Sequence, residues 1–285
     1  MDANDKNEII TIIEPTKSWF GSDWRKVWEY RDLVWMFAKR DLFVVYRQTI
    51  LGPVWFLIQP IIMAIVFTVI FGRVAKINTG GVPHIVFFMS GTVLWSFYSA
   101  IVNYSAQSLF SNAPLFSKVW FPRLILPISA VLTNLAHLAL GVLIFLAFYA
   151  NEIRQGAALA PNLWLLAMPL IILHLICLGI GVGMCVAAAT VKYRDLRFAL
   201  PFIMQMWMYA TPIVYPSSGV VDPVFRAIML ANPVAPAIEV FRHSFTGSGT
   251  IEPLNIAVSL AMTALLFLAG TALFNRAQRT YLDIV

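Results

Sequence analysis

The chain's 285 residues are 60% hydrophobic and only 12% charged, with a mean hydropathy of +0.77. That balance excludes an ordinary soluble globular domain and suits one membrane domain of roughly five to seven helices, with no room for a soluble catalytic domain. The formal net charge of +6 comes from Lys and Arg placed beside apolar runs, so it speaks for membrane topology and against a nucleic-acid partner.

Residues 1–21 are polar and irregular and read as a cytoplasmic tail. Residues 22–47 read as an amphipathic helix. Trp24, Val27, Trp28, Val34, Trp35, Ala38, Leu42, Val45 and Tyr46 recur near helical spacing among Arg25, Lys26, Glu29, Arg31, Asp32, Lys39, Arg40 and Asp41. Three Trp with basic neighbours suit a helix lying in the headgroup plane.

Residues 48–285 read as a domain of six spans. The first, 48–71, follows this charged platform and contains the Leu51-Gly52-Pro53 break. It carries no formal charge, and about 23 residues at ~1.5 Å each cover a bilayer core of ~30 Å. A short outer loop leads to the second span, 84–107, which holds Trp95, Phe97, Tyr98, Asn103 and Tyr104. Residues 108–123 (SLFSNAPLFSKVWFPR) interrupt the apolar run with room for a short helix. The third span, 124–149, an outer loop and the fourth span, 163–189, follow. Gly179-x-Gly181-x-Gly183 in the fourth has no preceding strand, so close helix packing explains it better than a dinucleotide site. An inner loop, Lys192 to Arg197, precedes a short fifth span, 198–214. Residues 215–253 are punctuated by Pro216, Pro223, Pro233, Pro236 and Pro253. They fit two short helices, 224–230 and 235–245, re-entrant or on the outer surface, since neither can span. The sixth span is 254–274.

Charge placement fixes the topology. Eight Lys and Arg precede the first span, two lie in 108–123, three in 192–197 and two after the last span, so 15 of the 20 fall on one side. By the positive-inside rule both termini are cytoplasmic.

The chemistry is sparse. There is no Gly-x-x-x-x-Gly-Lys-Ser/Thr run for ATP, and no Asp or Glu within any span. Missing intramembrane carboxylates argue against ion-coupled carriers and against metal-dependent transferases. His84, His137, His174 and His243 lack metal-ligand spacing, and for His137 and His174 an interhelical hydrogen bond is the favoured reading. Cys177 and Cys185 read as buried small hydrophobes. No metal site and no catalytic residue are expected. Trp55, Phe56, Trp95, Phe97, Tyr98, Tyr104, Trp207 and Tyr209 sit in spans beside polar groups. They serve either as membrane belts or as channel lining, where aromatic faces pack against sugar rings. Trp95 and Tyr98 share a helix face, and Tyr104 lies about 180° from Trp95. Phe116, Trp120 and Phe121 are bulky apolar residues in an inner loop, which calls for a partner surface.

Four blocks carry a family resemblance: residues 46–60 (YRQTILGPVWFLIQP), 114–127 (PLFSKVWFPRLILP), 192–196 with 211–215 (KYRDL and TPIVY), and 232–242 (NPVAPAIEVFR). In this order they resemble the transmembrane subunits of ABC-2-type polysaccharide exporters, the O-antigen and teichoic-acid export permeases. Gly52-Pro53 and Gln59-Pro60 fit those better than capsule exporters. The resemblance implies an all-α fold and a homodimer bearing two separate ABC ATPase subunits, which bind ATP and Mg. It also implies a lipid-linked glycan on undecaprenyl diphosphate as cargo, and the bacterial cytoplasmic (inner) membrane as location. A coupling helix maps to about residues 111–123, with Asn112, Pro114, Phe116, Lys118, Trp120, Phe121 and Arg123. Tyr193, Arg194 and Asp195 fit a second inner contact, and Asn232, Pro233, Glu239 and Arg242 an outer gate. The competing readings are an ABC-2 permease for a drug or small lipid and a non-ABC membrane enzyme or carrier.

Overall fold

The computed structural model describes residues 23–47, 54–116, 118–119, 121–219, 222–249 and 251–282. The tail 1–21, the Gly52-Pro53 break, Ser117 and Trp120 lie outside the described residues, as do the side chains of Trp55, Phe56 and Phe116. Every regular element described is helical.

Helices α1 (Asp23–Glu29) and α2 (Arg31–Arg47) replace the single amphipathic helix of the sequence reading, with a turn at Tyr30. Val27, Val34, Phe37 and Ala38 are buried, and α2 packs on α6 (Ile125–Arg154). Trp28 and Trp35 face outward at 71% and 63% exposure, and Arg31 lies 5.9 Å from the Trp28 ring centre. The predicted stripe is therefore two faces, one seated on the bundle and one aromatic and basic.

Helix α3 (Val54–Phe67) contains Pro60 and continues as a π-helical stretch, Thr68–Val74. Helix α4 (His84–Ser111) is the central post. Its most apolar stretch is 78% buried, against 22% for α11 (Pro253–Leu282), which forms a rim. The one-turn α5 (Ala113–Phe116) follows α4, and α6 packs against α4. A 3-10 turn, Leu163–Ala167, leads into α7 (Met168–Lys192), which packs on α4 and α11.

Small residues set the α7–α11 approach. A Cβ at Gly181 would lie 2.7 Å from the Phe267 amide nitrogen, and one at Gly270 would collide with the Gly181 carbonyl. Without a hydrophobic drive between helices in lipid, such close van der Waals packing is a main source of association.

Helix α8 (Leu196–Ala210) is only 15 residues, about 22 Å long. It stops because Thr211 precedes Pro212: a residue before proline is pushed to extended backbone, and Thr211 has φ −99 and ψ 143. Two short helices follow, α9 (Pro223–Leu230) and α10 (Ala235–Thr246), meeting at 88°. None of α9 is buried, whereas nine residues of α10 are. Asp222 caps α9 by accepting from the Phe225 amide, and Gly247, with φ 68, ends α10.

Four helices among the described residues are long and apolar enough to cross a bilayer: α4, α6, α7 with its 3-10 lead, and α11. A fifth arises if α9 and α10 are taken as one broken span. The chain is thus a multi-pass membrane protein. The count of six runs ahead of this because it includes residues 48–53, outside the described residues, and the non-helical 211–214.

Gly270→Ala is expected to wedge α7 from α11 and lower the melting midpoint of the purified chain, an overpacking cost of about 1–3 kcal/mol. Ala261→Leu, on the exposed face of α11, serves as control. An unchanged midpoint for Gly270→Ala would refute the close crossing.

Candidate functional site: an anchored hairpin beside the short helix

Asn232, at the bend between α9 and α10, is 5% exposed and uses its whole side chain. Its Nδ2 donates to Thr211 Oγ1 at 2.8 Å and to the Ala210 carbonyl at 3.4 Å. Its Oδ1 accepts from the Val234 amide and from Trp207 Nε1, both at 3.1 Å. The next carbonyl, Pro233 O, accepts from Ser259 Oγ at 2.6 Å and His174 Nε2 at 3.0 Å. That bond requires the proton on Nε2, which leaves Nδ1 to accept from Thr263 Oγ1 at 3.4 Å. The bend is thus tied at once to α8, α7 and α11.

Arg242 fixes the second helix of the hairpin. It is 6% exposed, and its Nη2 donates to the Pro212, Phe87 and Ile213 carbonyls at 3.1, 3.4 and 3.5 Å. Its Nε reaches Ser90 Oγ at 3.3 Å, and its Cζ sits 3.6 Å from the Phe87 ring centre. Glu239, one turn earlier, lines a cavity of about 360 Å³ with Asn78, Thr79, Ser217 and Ser248. The structure therefore gathers all four expected outer-gate residues into one segment, three of them bonded into the bundle.

The aromatic residues expected to line a channel are placed differently. Trp95, Phe97 and Tyr98 are 6%, 3% and 0% exposed, inside the protomer. Trp207 closes the group, 6.3 Å from Trp95 and 5.6 Å from Tyr98 between ring centres. The shared Trp95–Tyr98 face is real, with rings 5.5 Å apart, but it turns inward because α4 is surrounded on most sides. Tyr104 lines a separate cavity of about 670 Å³ with Arg40, Asp41, Asn103 and Gln107. Tyr209, 43% exposed, is on the open face of α8 with Phe198, Phe202 and Met206.

On the other side of the molecule, the Asn112 amide donates to Ser108 O, Pro114 and Lys118 are exposed, and Arg123 Nη1 donates to Gln278 O at 2.6 Å. Phe121 departs from expectation. It is 6% exposed, with its ring 5.5 Å from that of Phe37. The underside of α2 supplies the surface that its apolar ring requires. Tyr193, Arg194 and Asp195 are exposed between α7 and α8.

A family model described as ABC-2 type transporter matches residues 32–246. The chain belongs to the ABC-2 type transporter family. The matched stretch of this ABC-2 chain runs from α2 through α10, so it takes in the whole hairpin. Among its relatives, the O-antigen export system permease protein RfbA of Myxococcus xanthus is 26% identical over 263 residues, 92% of this chain and 98% of the relative. A protein of the same name from Klebsiella pneumoniae is 24% identical over 255 residues, 89% and 95% of the two chains. The polysialic acid transport protein KpsM of Escherichia coli is 21% identical over 249 residues, 85% and 92%.

Sequence reasoning missed Thr211, Ser259 and Ser90 as partners of the hairpin, and Thr263 as the partner of His174. The available signal was their polarity inside apolar runs, which in lipid demands an internal partner.

Arg242→Leu is expected to destabilise the ABC-2 chain by about 3 kcal/mol or more, leaving several buried carbonyls without their charged donor. Arg226→Leu, at an exposed 3.7 Å pair with Glu252, is expected to cost under about 1 kcal/mol. Detergent unfolding of both variants followed by Trp fluorescence measures the difference. Equal losses would contradict the anchoring role.

Proposed function

We propose that this chain is the membrane-embedded permease subunit of an ATP-driven exporter that moves lipid-linked polysaccharide of the O-antigen type across the bacterial cytoplasmic (inner) membrane. The observation that carries this reading is the end-to-end similarity to permeases named for O-antigen export, over 92% of this chain and 98% of one relative. The 21% identity to a polysialic acid transport protein favours the same cargo class, a long glycan. Hydrolysis of ATP belongs to a separate ABC ATPase, two copies of which serve a homodimer of this chain.

In this reading six spans bring both termini to the cytoplasm, and α3 and α8, each shorter than a full span in the structure, belong to two of them. Helices α1 and α2 lie in the headgroup plane, which the outward Trp28 and Trp35 favour. The α9–α10 pair re-enters from the outer side and forms the outer gate. The exposed face of α8 turns toward a second copy, and the glycan path runs there, with Tyr209 offering a ring face and Gln205 donating to its hydroxyl at 3.4 Å. Trp95, Tyr98 and Trp207 back that path from behind. Asn112, Pro114, Phe116, Lys118, Trp120 and Arg123 meet the ATPase at one contact, and Tyr193 with Asp195 at a second.

The purified chain is expected to show no ATP hydrolysis, and its complex with the ATPase to hydrolyse ATP faster when given lipid-linked glycan. Hydrolysis by the chain alone, or a complex indifferent to every lipid-linked glycan offered, would overturn the reading. Single cysteines at Gly80 and Gln155 should label from outside and one at Gln278 from inside. Reversed labelling at Gln278 would invert the topology.

A further inference from the structure

Three helix ends meet at one small cavity on the face that the basic loops mark as cytoplasmic. The last turns of α4 and α7 and the first turn of α8 enclose about 330 Å³, with Gln107, Phe110, Thr190, Arg194, Arg197 and Phe198 in its wall. Arg197 is held between two rings, its Cζ 4.5 Å from the Phe110 centre and 4.6 Å from that of Phe198. Its Nε is buried and has no hydrogen-bond partner. Arg194 is exposed at the rim. Among the described residues neither arginine makes an ion pair. The C-terminal ends of α4 and α7 supply about half a negative charge each at most, less than two full cations require.

Two guanidinium groups in a partly apolar cavity, without a carboxylate, call for an anion. Their planar forks match phosphate oxygens, and the two rings hold the Arg197 fork in one orientation. The surroundings select the source of that phosphate. Phe110, Tyr193, Phe198 and Phe202 are 52%, 55%, 72% and 68% exposed, so the cavity opens beside an apolar strip at the ends of the helices, the level at which lipid headgroups lie. A soluble anion gains nothing from that strip, and a lipid-borne one does.

We propose that Arg194 and Arg197 form a binding site for the diphosphate headgroup of a polyprenyl lipid, holding the lipid end of the cargo at the inner face. The site rests on the lipid-linked reading above.

The test uses the full chain in nanodiscs of neutral lipid doped with undecaprenyl diphosphate, with binding read by native mass spectrometry. Parallel discs carry phosphatidylglycerol, or receive inorganic diphosphate in solution. The parental chain is expected to retain undecaprenyl diphosphate in preference to both. Arg194→Gln with Arg197→Gln should weaken retention by about tenfold or more, the loss of two charge-assisted contacts. Arg197→Lys should fall between, since it keeps the charge and loses the fork. Lys39→Gln, an exposed cation on α2, should change nothing. If the double variant fails to fold, Arg194→Gln and Arg197→Lys carry the test.

Equal retention by parent and double variant would overturn the site while leaving the exporter reading standing. No retention by the parent would overturn the lipid-linked reading as well. Equal retention of phosphatidylglycerol would overturn the assignment in favour of a general anionic-lipid site. Variants that retain the lipid normally but lose the ATPase would make the pair a protein contact and overturn the proposal.

Discussion

A bilayer offers no hydrogen-bond partners, so every interruption of a helix at membrane depth must find its partners inside the protein. This chain interrupts its helices twice in quick succession, at 211–214 and at 231–234, and the two breaks satisfy each other. Asn232 reaches back to Thr211 and the Ala210 carbonyl, and Arg242 takes the carbonyls of Pro212 and Ile213. His174 and Ser259 then take the Pro233 carbonyl from the opposite side. Removing Asn232 or Arg242 takes donors away from the backbone carbonyls of both breaks. The hairpin thus depends on the short helix before it, and the short helix has nowhere to end without the hairpin.

That mutual dependence links fold to transport. Because Asn232 and Arg242 both bond to the residues directly after α8, a shift of α8 carries the outer hairpin with it. The Trp95–Tyr98–Trp207 cluster joins the same unit to α4, the most enclosed helix. A power stroke delivered to the inner ends of α4 and α8 by a partner ATPase would therefore reach the outer side through bonded contacts within one protomer. The exposed face of α8 stays free for cargo or a second copy.

Much of this was legible in the residues themselves. Long charge-free runs marked α4, α6, α7 and α11, and the proline spacing marked α9 and α10 to within a residue or two at each end. The Gly179-x-Gly181-x-Gly183 run was legible as packing, and Gly181 does meet the Phe267 backbone. The direction in which aromatic side chains point was not legible. Helical periodicity says that Trp95 and Tyr98 share a face; it does not say which neighbour covers that face, since in an apolar segment every face is apolar. Phe121 illustrates the same gap, because a loop residue's burial depends on a helix, α2, some eighty residues earlier. The linkage of Asn232 to Thr211 and Trp207 was hidden for a similar reason: polar residues declare a need for partners, and only the fold names them.

The central claim, that this chain carries finished lipid-linked glycan across the membrane, is tested most directly by locating that glycan in cells from which the chain alone has been deleted. Intact spheroplasts are treated with a glycan-specific lectin before and after permeabilisation. The account predicts full-length lipid-linked glycan that becomes accessible only after permeabilisation, and its return to the outer face when the chain is restored. Glycan accessible on intact deleted spheroplasts at the parental level would contradict it.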